Sequence, residues 1–227
     1  MRKRCWEATI RILVIENNAA MADCIRGVLV DAAFVVDIVR DGEKGCALGE
    51  SHSFDAAILE LSLPRLPGLE VLKKWRASSQ DFPVLVLTGL IGWRYRVNAL
   101  NAGADDYMEK PFQPEELIAR VRSLVRRSHG KSHPILSHMG IEVDSTSGLV
   151  RKCGADVELT TLELRILSYL MYRPERIVSQ NELMDHVYSI ETVRDSNTIE
   201  VYIARLRKKL GRETIRTVRG MGYRMGN

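Results

Sequence analysis

Six polar residues in the first half of the chain stand where short apolar runs come to an end. They are Glu16, Asn17, Asn18, Glu60, Thr88 and Lys110. The two carboxylates are groups that can hold a divalent metal ion, so metal-assisted hydrolysis is the enzyme chemistry that the set would allow. No nucleophile–base pair and no phosphate-binding glycine loop accompanies them. We therefore expect a binding pocket and no catalysis.

The apolar runs that carry these residues predict the strands of a parallel sheet. They cover residues 10–15, 35–39, 56–61, 84–87 and 107–108, and helix-like stretches lie between them. This alternation predicts an α/β domain with helices on both faces of the sheet. Ligands of such domains bind at the carboxyl ends of the strands. Polar residues are common wherever a strand reaches the surface, but four strand ends together favour one shared pocket.

Length and composition allow two ordinary domains. The chain has 227 residues, of which 45% are hydrophobic and 27% charged, as in globular proteins and unlike disordered or fibrous ones. No apolar run reaches the roughly 18 residues of a membrane helix, and the basic start leads directly into the first strand. We therefore expect a cytoplasmic protein. The four cysteines lack CxxC spacing, so neither a metal site nor a disulfide framework is predicted.

The net charge of +4 is concentrated at one end of the chain. Residues 205–224 hold 8 basic and 1 acidic side chains, whereas residues 1–127 hold 18 and 17, and residues 128–204 hold 7 and 11. A basic run is often only a solvated helix face. Its restriction to one short segment with clear helix and strand patterns favours a nucleic acid as partner.

The second half begins with a polar linker and continues into a small domain with three predicted helices. Residues 128–137 contain glycine and proline without a helical period and are predicted to be the linker. A strand-rich stretch follows over residues 141–159. Three pairs then have the spacing of a capping box. They are Thr160 with Glu163, Ser179 with Glu182, and Asn197 with Glu200.

The third of these helices has two distinct faces. One is apolar and predicted to pack in the core: Ile199, Ile203, Leu206 and Leu210. The opposite face places Val201 and Ala204 among basic residues. A purely solvated basic helix does not need apolar residues there, whereas the major groove of DNA offers them thymine methyls and offers the cations guanine edges and phosphates. After this helix, TVRGMGYRM at residues 217–225 predicts a β-hairpin with Arg219 at its tip.

Four stretches of the first half resemble the receiver domain of two-component response regulators. They are ILVIENN, FDAAILELSLPRLPGLEVL, VLVLTG and NAGADDYMEKPF, in the family's order, within residues 10–127. The resemblance implies a flavodoxin-like sheet in strand order 2-1-3-4-5 and an aspartate that accepts a phosphoryl group at the position of Glu60. The other implied roles are magnesium binding by acids at Glu16 and Asn17, phosphoryl contacts by Thr88 and Lys110, and a coupled rotamer change by Tyr107.

The sequence departs from this pattern where the phosphoryl chemistry occurs. Glu60 replaces the phosphoacceptor, and Asn17 and Asn18 stand where a metal-binding acid is expected. Because an amide lacks the charge that holds magnesium, we expect weak or absent magnesium binding and no other cofactor. Glu60 is one methylene longer than aspartate and is expected to make a permanent charge-assisted contact with Lys110. The predicted result is a receiver that functions without aspartyl phosphorylation.

Two alternatives remain open at this point. The altered pocket could still respond to phosphate, or a small ligand or partner protein could act on the cleft through the retained Thr88 and Tyr107. DNA affinity that changes with a metabolite would favour ligand sensing.

Residues 138–227 resemble the winged helix-turn-helix effector domain of OmpR/PhoB response regulators, on the motifs IEVYIARLRKKLG and TVRGMGYR. The resemblance implies a recognition helix over residues 197–210, a wing whose Arg219 enters the minor groove of double-stranded DNA, and RNA polymerase as a candidate partner of residues 188–194. The expected DNA-binding residues are Asn197, Thr198, Val201, Tyr202, Ala204, Arg205, Arg207, Lys208, Arg219 and Tyr223. In that family, basic or His residues are common at the positions of Asn197, Tyr202 and Ala204. The DNA sequence that this chain recognises therefore cannot be taken from the family.

The same resemblance implies a two-fold dimer through the fourth helix, fifth strand and fifth helix of the receiver. The expected pairs across the two subunits are Arg96 with Glu116, Asp106 with Arg120, and Asp105 with Arg127. All six positions carry the required sign. Single surface ion pairs contribute little, but a two-fold interface uses each pair twice. We therefore expect a homodimer that forms without phosphorylation.

Overall fold

The computed structural model describes residues 10–187 and 198–226. The chain divides into two compact units, one formed mainly by residues 11–128 and one mainly by residues from 129 onward. The first unit alternates strands and helices in this order: β1 Arg11–Ile15, α1 Ala19–Asp31, β2 Val35–Val39, α2 Gly42–Ser51, β3 Ala56–Leu59, α3 Gly68–Ala77, β4 Val84–Thr88, α4 Trp93–Asn101, β5 Asp106–Glu109 and α5 Pro114–Ser128.

The strands of the first unit form one five-stranded sheet in the order β2-β1-β3-β4-β5, which confirms the predicted flavodoxin-like arrangement. The β1–β3, β3–β4 and β4–β5 pairs are parallel. β1, β3 and β4 are buried along their whole length because helices cover both faces of the sheet. The strand order reverses between β1 and β3, so their carboxyl ends border a crevice in which side chains can converge.

The helices bury the stripes that their sequences predict. α5 buries Leu117, Val121, Leu124 and Val125, at helical spacing. α2 and α3 approach closely because Gly49 has no side chain: a Cβ there would lie 2.6 Å from the ring of Trp75. The fully buried Trp75 donates its ring N–H to the carbonyl of Cys46, at 3.1 Å, and so satisfies its one polar group.

Within its described residues, the second unit combines a small antiparallel sheet with three α-helices and a hairpin. Its elements are β6 Ile135–His138, β7 Ile141–Asp144, β8 Val150–Lys152, β9 Ala155–Asp156, α6 Thr161–Tyr172, α7 Gln180–Val187, α8 Thr198–Leu210, β10 Ile215–Val218 and β11 Gly222–Met225. β6 to β9 pair in sequence order, and β10 pairs with β11. The capping box of Thr160 and Glu163 is confirmed at the start of α6. The Ser179 hydroxyl accepts from the Glu182 amide at 3.1 Å, while Asn197 lies outside the described residues.

Some predicted boundaries differ from the structure. The third strand ends at Leu59 instead of residue 61, so Glu60 follows the strand, and the fifth strand is longer than predicted. The stretch predicted as a linker contains the last residue of α5 and most of β6. The sequence ILSH of β6 buries only Leu136 completely and therefore shows little of the apolar pattern that predicts a strand.

Candidate functional site

The carboxyl ends of β1, β3 and β5 bring an ammonium group and two carboxylates together. The Lys110 ammonium donates to Oε2 of Glu16, and to Oε2 of Glu60 at 2.6 Å. Glu16 and Glu60 are only 2% and 5% exposed, so they depend on this cation for compensation of their charge. The Lys110–Glu60 contact was predicted from the sequence. The second contact, to Glu16, was not, since pairing of Lys110 with two acids depends on the spacing between strands.

The second carboxylate oxygen of Glu60 is also fully engaged. Oε1 accepts from the hydroxyl of Thr88 and from the backbone amides of Leu61, at 2.7 Å, and Ser62, at 3.0 Å. Burial alone would raise the pKa of Glu60, but the hydrogen bonds from Lys110, the Ser62 amide and Thr88 outweigh it, and the pKa lies below its ordinary value. Glu60 is therefore held as a carboxylate, with donors on both oxygens.

One of the two asparagines caps a helix, and the other lines a cavity. Asn18 Oδ1 accepts from the backbone amide of Met21 at 3.0 Å, as an N-cap of α1 does, and the backbone amide of Asn18 donates to Oε1 of Glu16 at 3.0 Å. Asn17 is exposed and lines a shallow cavity of about 260 Å³ together with Glu16, Glu60 and Lys110. Within residues 10–187 and 198–226, no three His, Cys, Asp or Glu side chains are grouped to hold a metal ion. With both carboxylates bound by Lys110, these donors fit magnesium poorly.

A chain of hydrogen bonds runs from the pocket to Tyr107. The amide of Leu90 donates to the Thr88 hydroxyl oxygen at 3.3 Å, and the hydroxyl of Tyr107 donates to the Leu90 carbonyl at 2.7 Å. Tyr107 is buried, and this burial, followed by the nearby charge of Glu109, raises its pKa. The guanidinium of Arg96 lies 5.5 Å from the centre of the Tyr107 ring. Glu60 is thus linked through Thr88 and Tyr107 to the surface of α4 and β5.

The six charged residues expected at a dimer face have partners within their own chain. Arg120 contacts Asp106 and Glu116, each at 2.7 Å, and its pKa is raised first by Asp106 and then by Glu116. Arg96 pairs with Glu109 at 2.9 Å. The other contacts are Asp105 with Arg76 at 3.0 Å and the Arg127 side chain with the Ser123 carbonyl at 3.3 Å. Asp106 and Arg120, which were expected to pair across two subunits, therefore form an ion pair within one chain. Their pairing between subunits stays a prediction.

α8 presents the two faces that its sequence predicts. Ile199, Ile203, Leu206 and Leu210 are at most 1% exposed, which confirms the core stripe. The opposite face exposes Val201, Ala204, Arg205 and Lys208, with Val201 47% accessible. The half-buried ring of Tyr202 lies 5.5 Å from the guanidinium of Arg205. The backbone of Thr198 begins the helix, while Asn197 and the stretch 188–194 lie outside the described residues.

The predicted hairpin follows α8. Thr217 pairs with Tyr223 and Val218 with Gly222, and Arg219 is exposed at the tip. Gly222 has φ 137°, and a Cβ there would lie 2.1 Å from the carbonyl of Val178, so only glycine fits. The amides and carbonyls of Val178 and Tyr223 exchange hydrogen bonds of 2.7 and 2.8 Å, which tie the hairpin to the segment before α7.

Two residues expected to contact DNA have limited exposure in the structure. Tyr223 is only 7% exposed, which leaves little of its side chain accessible to DNA, and its contact with DNA stays a prediction. Arg207 is half-buried and donates to the carbonyl of Ile215 at 2.9 Å and to the hydroxyl of Thr217 at 2.7 Å. The angular position of Arg207 on the helix does not predict these hydrogen bonds, because both acceptors belong to β10.

Comparison with known proteins assigns a class to each unit. The family described as response regulator receiver domain matches residues 12–122, and the family described as transcriptional regulatory protein, C terminal, matches residues 154–225. The fold, the pocket and these matches define a receiver domain joined to the C-terminal domain of a transcriptional regulator. None of the described helices is long and apolar enough to cross a membrane.

Relatives over the full length place the chain in one family. The transcriptional regulatory protein QseB of Haemophilus influenzae is 37% identical over 217 residues, which cover 96% of this chain and 98% of QseB. TctD of Salmonella typhimurium is 40% identical and covers 94% and 96%. The solved receiver domain of Francisella response regulator 1452 is 28% identical with a TM-score of 0.51, covering 52% of this chain and 98% of that domain. The chain belongs to the OmpR/PhoB-type response regulators, which are DNA-binding transcription regulators.

Proposed function

We propose that this chain is a dimeric, sequence-specific transcription regulator whose receiver acts without aspartyl phosphorylation. The observation that carries the proposal is the pairing of Glu60 with Lys110 and Thr88. Family resemblance assigns these two groups to contacts with a phosphoryl group. In this chain the carboxylate of Glu60 accepts the hydrogen bonds of Lys110 and Thr88 instead. The buried Tyr107 is connected to Thr88 by hydrogen bonds through Leu90.

The pocket also disfavours phosphoryl transfer. Glu60 has donors on both oxygens, so attack on a phosphodonor would require loss of several hydrogen bonds. Magnesium would have to displace Lys110 from Glu16 and Glu60, with an amide at Asn17 where a third charge is expected. Both requirements oppose the formation of a phosphorylated receiver.

Incubation of the purified protein with a small phosphodonor and magnesium is expected to leave its intact mass unchanged. The matched variant Glu60→Asp with Asn17→Asp shortens the side chain and restores one metal-binding charge, and we expect it to bind magnesium more tightly than the parent chain. Intact-mass spectrometry and a magnesium titration measure the two results. A phosphoryl adduct of the parent chain that maps to the pocket would contradict the proposal.

The dimer is proposed to form through α4, β5 and α5. This face carries three acids and three arginines of matched sign, and its Arg96 lies against Tyr107. Same-chain ion pairs hold four of these side chains in place, so less of their conformational freedom remains to be lost on association; the four are Arg96, Asp106, Glu116 and Arg120. RNA polymerase is proposed as a further partner through residues 188–194, by family resemblance.

Arg120→Glu is expected to weaken the dimer by at least tenfold, or about 1.4 kcal/mol, because the new acid faces acids in both subunits. Since Arg120 also has same-chain partners, Arg127→Glu is a second variant, and among the described residues Arg127 has no ion pair that this change would break. Lys73→Glu, on the exposed surface of α3, is the matched control and is expected to dimerise like the parent chain. Sedimentation equilibrium gives the constants. Parent-like dimerisation of both arginine variants would exclude this face.

A further inference from the structure

Whereas Lys209 of α8 donates to the Glu158 carbonyl and the Glu163 carboxylate, Arg207 of the same helix is held by the strand that follows it. Its guanidinium donates from Nε to the carbonyl of Ile215 and from a terminal nitrogen to the hydroxyl of Thr217. Both acceptors belong to β10, the strand that leads to the hairpin tip. Arg205 and Lys208, in contrast, lie on the exposed face of the helix.

The geometry of this contact suits arginine alone. A guanidinium is a rigid planar fork, so two hydrogen bonds to two sites on one strand fix the direction of the strand against the helix. A lysine ammonium keeps the charge but is a compact group on a flexible stem. The hairpin is held at a second place by the Val178–Tyr223 hydrogen bonds. These two attachments leave its exposed tip, with Arg219 and Met221, at a fixed distance from the exposed face of α8.

We propose that Arg207 is a positioning residue that sets the wing relative to the recognition helix, so that Arg219 meets the minor groove while α8 occupies the major groove. This inference rests on the proposed DNA-binding function. Under this proposal Arg207 does not itself contact DNA. A change at Arg207 affects DNA affinity through the position of Arg219. The proposal therefore predicts energetic coupling between residues 207 and 219, and it predicts that charge alone at position 207 is not sufficient.

A double-mutant cycle on DNA tests the coupling. The probe is a duplex selected in vitro from randomised DNA with the parent protein, and affinities are measured for Arg219→Ala, Arg207→Lys and the double variant. Arg219→Ala is expected to weaken binding about tenfold in the parent chain and less than about threefold beside Arg207→Lys. The cycle of Lys208→Ala with Arg219→Ala is the control and is expected to be additive. An equal effect of Arg219→Ala in both backgrounds would overturn the proposal.

Amide hydrogen exchange provides a readout that does not require DNA. Arg207→Lys is expected to accelerate exchange in β10 and β11 while α6 exchanges as in the parent chain. Thr217→Val, which removes one acceptor and preserves the shape of the side chain, is expected to give a smaller change in the same strands. Unchanged exchange of the hairpin in both variants would overturn the role of Arg207. Failure of the parent protein to select any DNA sequence would instead count against the proposed function, so the two failures are distinguishable.

Discussion

Lys110→Met is expected to lower the free energy of unfolding of the receiver by about 3 kcal/mol, the cost of leaving buried carboxylates without their cation. Glu16 and Glu60 both depend on this ammonium and are almost inaccessible to water. Methionine fills a similar volume, so loss of packing contributes little. For a domain of this size the unfolding temperature should fall by roughly 10 °C. Thermal and urea unfolding of the purified protein measure the change.

The effect of Lys110→Met should depend on pH in a defined direction. In the parent chain the pKa of Glu60 lies below its ordinary value of 4.5, so its stabilising contribution is complete above that pH and is lost as the pH falls through the folded pKa. Loss of Lys110 removes one of the contacts that lower this pKa, while burial, which raises it, remains. The carboxyl group of the variant therefore takes up a proton at higher pH. The stability difference should be largest at neutral pH and should narrow as the pH falls toward and below 4.5, through the lowered pKa of Glu60 in the parent chain.

The matched control for this prediction is Lys73→Met. Lys73 also contacts a glutamate, Glu70, at 2.8 Å, but both side chains are about half exposed. An exposed pair contributes at most about 1 kcal/mol, so the control should unfold close to the parent temperature. Equal unfolding temperatures for the two variants would show that the pocket cluster contributes no more than a surface ion pair.

Arg205→Ala is expected to weaken binding to a selected duplex by about ten- to a hundredfold and to relax the preference for one base pair, the effect of a lost arginine–guanine contact. The guanidinium lies beside the Tyr202 ring on the exposed face of α8, which restricts its orientation before DNA binds. Lys208→Ala should weaken all sequences alike and reduce the slope of log affinity against log salt by about one, as expected for a phosphate contact.

Arg151→Ala controls for the loss of a positive charge in the same unit. Arg151 is on β8, pairs with Asp156 at 3.0 Å and does not belong to the residues expected to contact DNA. Its affinity for the selected duplex should match that of the parent chain. Equal binding by the parent chain and Arg205→Ala at physiological salt would refute the assignment of α8 as the recognition helix. DNA titrations at three salt concentrations give the salt dependence of the affinity, which distinguishes the base contact expected of Arg205 from the phosphate contact expected of Lys208.

The sequence predicted those parts of the fold in which local pattern and packing agree. The strands β1, β3 and β4 are continuous apolar runs and are buried on both faces, so their presence was evident. The core stripe of α8 followed from helical spacing, and the hairpin with Arg219 at its tip followed from two glycines. β6 was assigned to the linker because its stability comes from pairing with β7, which local sequence does not encode.

Several hydrogen bonds within the candidate sites could not be predicted from the sequence. The contact between Glu60 and Lys110 was predicted from the family resemblance together with the extra methylene of Glu60. The amides of Leu61 and Ser62 were missed because every residue has such a group and only the turn after β3 aims these two at Glu60. The hydrogen bonds of Arg207 were missed for a similar reason. Their acceptors, Ile215 and Thr217, lie in another element, and angular positions within one helix cannot indicate contacts between elements.

The carboxylate of Glu60 differs from a phosphoryl group in how long it lasts. An acyl phosphate on an aspartate hydrolyses, which ends a response, whereas the side chain that accepts from Thr88 and Lys110 persists until the protein is degraded. If this receiver acts without aspartyl phosphorylation, as proposed, hydrolysis of a phosphoryl group does not end its activity. Under the same proposal, the occupancy of its DNA sites follows mass action: it is set by the rates of synthesis and proteolysis of the protein, and it rises steeply with abundance wherever two copies must assemble.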